Sequence, residues 1–171
     1  KYYESDVFRA AGKRIRAMAR AADNLSIEER IARITTIFSM FRNPDKETIL
    51  TPWRVVNMHL SDCLGGYSFF DETFEKPIEQ PRYVHHNNVS NEVFSFDTKI
   101  LEINSKSGMY PLYMAYSIYR TKLAALYTDR NQVPTNQEQL KTWDSVLAEN
   151  VFVICKTPMA KSITKRTLAG F

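Results

Sequence analysis

The sequence predicts an α/β fold in which a parallel sheet is preceded by a helical N-terminal segment. Two short apolar runs, residues 99–103 and 151–155, read as buried strands, and each is followed by a turn and a helical stretch. Strands that alternate with helices are typical of a parallel sheet. The first 48 residues show helical periodicity and no strand pattern. A chain of 171 residues with 44% hydrophobic side chains is long enough to bury one main core.

The first 48 residues are predicted to form two helices. Between Asp6 and Ala22, apolar residues recur at helical spacing, and the other faces carry basic residues, including Lys13, Arg14, Arg16 and Arg20. Ser26 and Glu29 have the spacing of a capping box, which starts a second helix that is expected to end near Asn43-Pro44. We therefore assign residues 1–48 to a helical N-terminal segment.

A third helix is predicted over residues 52–63. Thr51 is a favourable N-cap, Pro52 suits the first helical position, and Gly65-Gly66 ends the pattern. Residues 67–97 lack helical periodicity and contain several turn-forming residues. This stretch is expected to be irregular, with a hairpin from Tyr83 to Phe96.

The remaining sequence predicts a strand-loop-helix unit followed by a second such unit. Residues 99–103 form a strand, 104–108 a tight loop of small residues, and 109–127 an aromatic-rich helix. After a polar loop, residues 136–147 are expected to be helical and 151–155 to form the second strand. Pro158 then opens a basic helix. Residues 49–171 are thus assigned to one α/β domain.

Composition narrows the class of protein. The apolar runs are too short to span a bilayer, and the first residues do not resemble a secretory signal, so we expect an intracellular, cytoplasmic protein. Cys63 and Cys155 are far apart and lack metal-type spacing, which predicts two reduced thiols.

Residues 1–48 carry a net charge of +3, 49–155 of −3 and 156–171 of +4. Basic ends are compatible with a nucleic-acid partner and equally with plain solvated faces.

Two other kinds of site are disfavoured. The loop Ser105–Gly108 lacks the glycine-rich lead and the Gly-Lys-Ser/Thr order of a phosphate-binding loop. His85 and His86 are adjacent on an extended segment, so they point to opposite faces, and no other residues are spaced to complete a metal site. We predict no metal site.

Three short stretches, in this order, resemble the S-adenosylmethionine-dependent methyltransferases that act on adenine in DNA, particularly the large enzymes of bacterial restriction-modification systems. The first is Thr51-Pro52 with the apolar residues that follow, and the second is Ile100–Tyr110. The resemblance implies that Thr51 packs near the methionine end of the cofactor and that Glu102 reaches its amino group. It also implies that the pocket floor is shaped by three loop residues: Asn104, Ser105 and Gly108. Cofactors bind at the carboxyl ends of parallel strands, which agrees with these positions.

The third stretch, residues 149–160, is similar to the family's second motif, in which a strand ends in an acidic residue that binds the ribose. Here Cys155 or Lys156 occupies that position. A thiol or an ammonium cannot accept two hydroxyl hydrogen bonds as a carboxylate does. A second departure is Lys106, where the family usually has glycine. We assign Cys155 to the cofactor site by position.

The resemblance implies the S-adenosylmethionine-binding part of a DNA adenine N6-methyltransferase with an incomplete Rossmann-like fold. Such enzymes orient the flipped base with an Asp/Asn-Pro-Pro-aromatic motif. That motif is absent from the sequence, so we predict no catalytic residue and no activity for this chain alone, and we expect a fragment of a longer enzyme. Its partners would be DNA and the rest of the parent polypeptide or a partner subunit. The alternative is a degenerate methyltransferase-like domain that only binds DNA or a subunit.

Overall fold

The computed structural model describes residues 4–41, 50–87 and 89–170, and these form a mixed α/β protein. The helices are α1 (Ser5–Ala21), α2 (Ile27–Ser39), α3 (Trp53–Leu64), α4 (Ser90–Val93), α5 (Met109–Arg130), α6 (Asn136–Glu149) and α7 (Pro158–Ala169). The strands are β1 (Gly66–Phe70), β2 (Pro77–Val84), β3 (Ile100–Ile103) and β4 (Val151–Ile154). Among the helices of these three ranges, none has both the length and the apolar character needed to cross a bilayer.

Helix α2 connects the N-terminal region to the main core. Its start confirms the predicted capping box, because the Glu29 amide donates to Ser26 Oγ at 3.3 Å and the Ser26 amide to Glu29 Oε2 at 3.1 Å. Ile27 and Ile31 lie in the same apolar core as the central residues of α5 and α6, while Ile34 belongs to a small cluster against α1. The predicted helix end near Asn43-Pro44 falls outside the described residues.

The start of α3 differs from the sequence prediction. Thr51 is not the N-cap: Pro52 occupies that position, and its carbonyl accepts from the amides of Val55 and Val56. The helix thus begins one residue later, which moves the Thr51 hydroxyl away from the free amides. Within α3 the buried Asn57 donates to the Trp53 carbonyl and accepts from the Phe69 amide, both at 2.8 Å. This side chain holds β1 against α3.

The predicted hairpin from Tyr83 to Phe96 is wrong, because the hairpin lies earlier in the chain. Strands β1 and β2 pair antiparallel, with Gly66 opposite Val84, and the residues after β2 include the short helix α4. Pro81 is tolerated in β2 because an edge strand of a two-stranded sheet can lack an amide donor. Gly66, at φ 94°, passes so close to α5 that a Cβ would lie 2.6 Å from Ser117 Oγ. These contacts depend on residues distant in sequence.

Strands β3 and β4 form the predicted parallel pair, with Ile100 opposite Val151 and Ile103 opposite Ile154. Helices α5 and α6 connect them, and α5 is the centre of the molecule. The N-terminal half of α5 is buried on all sides. Six of its side chains are 0% exposed: Leu112, Tyr113, Ala115, Tyr116, Ile118 and Tyr119. A helix that is apolar on all sides is expected at the middle of a core. It therefore fixes the position of both small sheets.

Candidate functional site

The candidate site lies at the carboxyl edge of β3 and β4. Because the strands are parallel neighbours, Glu102 near the end of β3 and Cys155 immediately after β4 lie at the same edge of the sheet. The Ser105 amide donates to the Ile154 carbonyl at 3.0 Å, which continues the pairing beyond both strands. The arrangement of these two positions agrees with the sequence prediction. Ligands bind at such edges in α/β proteins.

The loop between β3 and α5 turns sharply at two positions with positive φ. Asn104 has φ 67° and is exposed, whereas Gly108 has φ 78° and is buried as the N-cap residue of α5. The buried Ser105 hydroxyl accepts from the Gly108 amide at 3.1 Å. A short polar side chain and a glycine are the residue types that favour left-handed backbone. The sequence thus specifies a tight loop at the start of the longest helix.

Helix α7 packs against this loop through two threonines. Thr164 Oγ1 lies 3.2 Å from Ser105 Oγ, and Thr167 Oγ1 donates to the Ser107 carbonyl at 2.6 Å. A Cβ on Gly108 would come within 3.2 Å of the Thr164 methyl group. Cys155 donates its thiol to Thr164 Oγ1 at 3.7 Å. The loop after β3 and the end of β4 therefore both contact Thr164.

Sequence reasoning did not identify Thr164 and Thr167. Both are buried, at 3% and 2% exposure, in a helix whose sequence pattern indicates only a basic surface. The signal was their i, i+3 spacing, which places two small polar side chains on one face of the helix that follows β4. Such a face suits close packing against a backbone loop.

Glu102 carries at this edge a buried oxygen without a hydrogen-bond partner among the described residues. That oxygen is Oε2, and the side chain as a whole is half-buried. Burial raises the pKa of its carboxyl above the ordinary range, and a hydrogen bond from Ser105 partly opposes that shift. A buried oxygen without a partner loses the hydrogen bonds that it makes in water. The site therefore offers a strong acceptor to a ligand that brings a donor.

Thr51 precedes α3, which packs on α5. Trp53, two residues after Thr51, packs edge-on against Tyr113 of α5 with ring centroids 6.4 Å apart. Further along α3, His59 Nδ1 lies 3.3 Å from the hydroxyl of Tyr110 in the first turn of α5. The half-buried Thr51 precedes this contact region, and its role at the cofactor stays a prediction.

The residues present fit an S-adenosylmethionine molecule in part. The unpartnered oxygen of Glu102 suits the cofactor's amino group, whereas the buried side of the loop at Gly108 is already covered by Thr164 and Thr167 of α7. Cys155, a half-buried free thiol, stands where the resemblance requires a ribose-binding carboxylate. In the part of the chain that the structure describes, no cluster of three or more His, Cys, Asp or Glu side chains could hold a metal ion.

Comparison with known proteins identifies no relative of this chain. No family model, curated protein or solved structure matches this chain. A functional assignment therefore depends on the residues of this edge and on their chemistry.

Proposed function

We propose that this chain is the S-adenosylmethionine-binding part of a DNA adenine N6-methyltransferase of restriction-modification type, on a Rossmann-like fold. The observation that carries the proposal is the buried, unpartnered carboxylate oxygen of Glu102 at the carboxyl edge of a parallel strand pair. The resemblance requires an acidic residue at that position, followed by a loop of small residues. Residues 104–108 supply such a loop at every position except Lys106, and they lead directly into α5.

Each residue of the edge would have a distinct task. The cofactor supplies an activated methyl group when bound. Glu102 would accept a hydrogen bond from its amino group, and Ser105 and Gly108 would keep the loop close to the ligand through their mutual hydrogen bond. Cys155 would contact the ribose only weakly, because a thiol is a poor acceptor. We therefore assign most of the polar recognition to Glu102.

Calorimetric titration with S-adenosylmethionine tests this proposal. We expect one site per chain and no transfer of labelled methyl groups to DNA, because the sequence lacks an Asp/Asn-Pro-Pro-aromatic motif to orient the target amine. Methionine and adenosine alone serve as half-ligand controls and should bind more weakly than the whole cofactor. Methyl incorporation by the purified chain would refute the assignment of the chemistry to residues outside it.

A second candidate function is a methyltransferase-like domain that binds only DNA or a partner subunit. Two departures at the edge favour it, the exposed Lys106 in the loop and the thiol of Cys155. The calorimetric experiment separates the two functions. A chain that binds DNA or a subunit but gives no heat with millimolar S-adenosylmethionine would support the second function.

The basic residues of α1 predict a salt-dependent contact with DNA. Lys13, Arg16 and Arg20 recur at i, i+3 and i+7, and these side chains and Arg14 are exposed. We expect the quadruple glutamine variant to bind duplex DNA more weakly. We also expect each lost phosphate contact to lower the slope of log affinity against log salt by about 0.9.

The control neutralises two exposed lysines elsewhere in the chain, Lys76 in the turn before β2 and Lys141 in α6. It should leave the affinity and the salt slope close to those of the unmodified chain. Fluorescence anisotropy between 50 and 200 mM salt, roughly the range over which phosphate contacts dominate affinity, measures both. Equal slopes for the α1 variant and the control would make the basic face a solvated surface.

A further inference from the structure

A pocket of about 410 Å³ opens beside the C-terminal half of α5. One of its walls is a single face of α5, whose lining residues recur at helical spacing: Arg120, Leu123, Ala124, Tyr127 and Thr128. The other walls include Glu28 of α2, Tyr67 of β1 and the loop before α6. The volume lies near the lower end of the range for ligand pockets, roughly 300–1,000 Å³. The pocket therefore suits a small molecule.

This pocket is separate from the edge of the β3–β4 pair that carries Glu102. The loop of that edge leads into α5 at Met109, whereas the pocket begins at Arg120, eleven residues later. At 1.5 Å per residue, the two places are roughly 16 Å apart along the helix. Binding in this pocket can therefore be measured independently of the proposed function.

The pocket contains a carboxylate and a guanidinium side by side. Glu28 Oε1 accepts a hydrogen bond from the Tyr116 hydroxyl at 2.8 Å, and Arg120 Nη1 donates to the same hydroxyl at 2.9 Å. Nη1 and Oε1 are 3.8 Å apart, which is an ion pair but too long for a hydrogen bond. The side chains of Glu28 and Arg120 are 26% and 34% exposed, so a ligand can reach both. Tyr116 thus positions the two groups and leaves the second carboxylate oxygen and most of the guanidinium donors for a ligand.

The rest of the α5 wall suits a planar ring with a polar substituent. Leu123 and Ala124 provide an apolar surface, and the Tyr127 side chain on the same wall is 47% exposed. An exposed aromatic ring is a surface on which a base can stack. Thr128 lies eight residues after Arg120, so the wall is about 12 Å long and ends in a hydroxyl. That hydroxyl donates to the Ala124 carbonyl at 2.9 Å and can still accept a hydrogen bond.

We propose that this pocket binds a free guanine nucleoside, with the Watson–Crick edge of the base on Glu28 and Arg120 and the sugar toward Thr128. Guanine carries two adjacent donors, N1–H and the N2 amine, beside the O6 acceptor. A carboxylate only accepts hydrogen bonds and a guanidinium only donates them, so the two side chains complement that edge. Adenine would place its N1 acceptor against the carboxylate and lose this match.

The charge of the pocket favours a nucleoside over a nucleic-acid strand. Among the described residues that line the pocket, Glu28 and Arg120 carry the charges, so its formal charge is zero. The phosphates of a strand bind where lysine and arginine side chains supply an excess of positive charge. A nucleoside has no phosphate and needs no such excess.

Calorimetric titration of the purified chain with guanosine tests this proposal, and 1-methylguanosine is the matched ligand. Its N1 methyl group removes the donor to Glu28 and occupies the space of the hydrogen bond. We expect guanosine to bind about 5- to 150-fold more tightly, the range for a pair of hydrogen bonds to a base edge. Equal affinity for the two nucleosides would contradict recognition of the base edge. The absence of heat with millimolar guanosine would overturn the pocket as a nucleoside site.

Two variants distinguish recognition of the edge from stacking. Glu28→Gln keeps an acceptor for the Tyr116 hydroxyl but replaces the other oxygen with an amide donor, so it should weaken guanosine binding by about tenfold or more. The matched control is Glu79→Gln, which changes an exposed carboxylate of β2 outside the pocket lining and should bind normally. Tyr127→Ala, at an exposed position, should weaken both nucleosides by a similar factor, because stacking does not depend on the base edge.

Circular dichroism should show that all three variants are folded. Guanosine affinity that neither Glu28→Gln nor Tyr127→Ala changes would rule out this pocket as the site. An oligothymidine with one central guanine serves as the strand ligand and should bind no more tightly than guanosine. Tighter binding of that oligonucleotide, weakened by Tyr127→Ala, would overturn the choice of a free nucleoside.

Discussion

Replacing Arg30 with alanine is expected to lower the free energy of unfolding by about 2–4 kcal/mol, because it removes a buried cation together with the hydrogen bonds that the cation donates. The Arg30 side chain is 6% exposed and donates to the Leu168 carbonyl and, at 3.4 Å, to the Ala169 carbonyl. Its guanidinium also lies 5.6 Å from the centroid of the Trp143 ring. The variant would remove the donors from the Ala169 and Leu168 carbonyls, of which Leu168 keeps the hydrogen bond from the Trp143 indole at 3.1 Å, and it would leave a cavity beside Trp143.

The matched control for this substitution is Arg33→Ala, which removes an exposed arginine three residues further along α2. Exposed substitutions usually change stability by less than about 0.5 kcal/mol. Arg30→Lys should fall between the two, because an ammonium keeps the charge but not the planar, forked set of donors. Urea denaturation followed by circular dichroism measures all three. Similar losses for Arg30→Ala and Arg33→Ala would contradict a structural role for the buried guanidinium.

Arg30 also shows what the sequence could not predict. In the helical pattern of residues 26–41 it is one charged residue among several, and charged residues are usually exposed. Its partners at Leu168 and Ala169 are 138 and 139 positions away, so no local pattern indicates its burial. The same is true of the close approach of Gly66 in β1 to Ser117 of α5. Contacts of long sequence separation decide both features.

The predicted β3-loop-α5 unit was confirmed because its signals are local. Residues 100–103 are a continuous apolar run around one glutamate, and residues 104–108 combine small side chains with a glycine. These patterns depend on neighbouring residues alone. Within the candidate site, the position of Glu102 followed from the resemblance. The support from Thr164 did not, since it joins Ser105 across 59 residues.

Replacing Glu102 with alanine is expected to weaken S-adenosylmethionine binding by about 10- to 150-fold, the equivalent of 1.5–3 kcal/mol for a hydrogen bond to a charged acceptor. Calorimetric titration of the variant against the unmodified chain measures the loss. Asp97→Ala is the matched control, because it removes an exposed carboxylate just before β3, at the opposite end of the strand. Affinity equal to that of the unmodified chain would exclude Glu102 as the cofactor's ligand.

The pH dependence of stability gives an independent test of the same carboxyl group. Burial holds the pKa of Glu102 above its ordinary range in the folded state, so the ionised form is disfavoured by folding. The folded protein therefore loses stability as pH rises from the unfolded pKa through the raised folded pKa. Glu102→Gln keeps the shape without the charge, so it should be more stable than the unmodified chain at neutral pH. That advantage should disappear as pH falls below the ordinary glutamate range.

Glu102→Gln should change the stability of the chain and its affinity for the cofactor in opposite directions. This difference distinguishes a binding residue from a structural one. At neutral pH, Glu102→Gln should raise stability in urea denaturation and weaken cofactor binding, as expected where a site keeps a costly buried charge for its ligand. Cofactor affinity of the unmodified chain should fall as pH drops through the raised pKa, because protonation removes the charged acceptor. The glutamine variant should show no such fall. A variant that lost both stability and affinity would indicate that Glu102 acts by supporting the loop of residues 104–108.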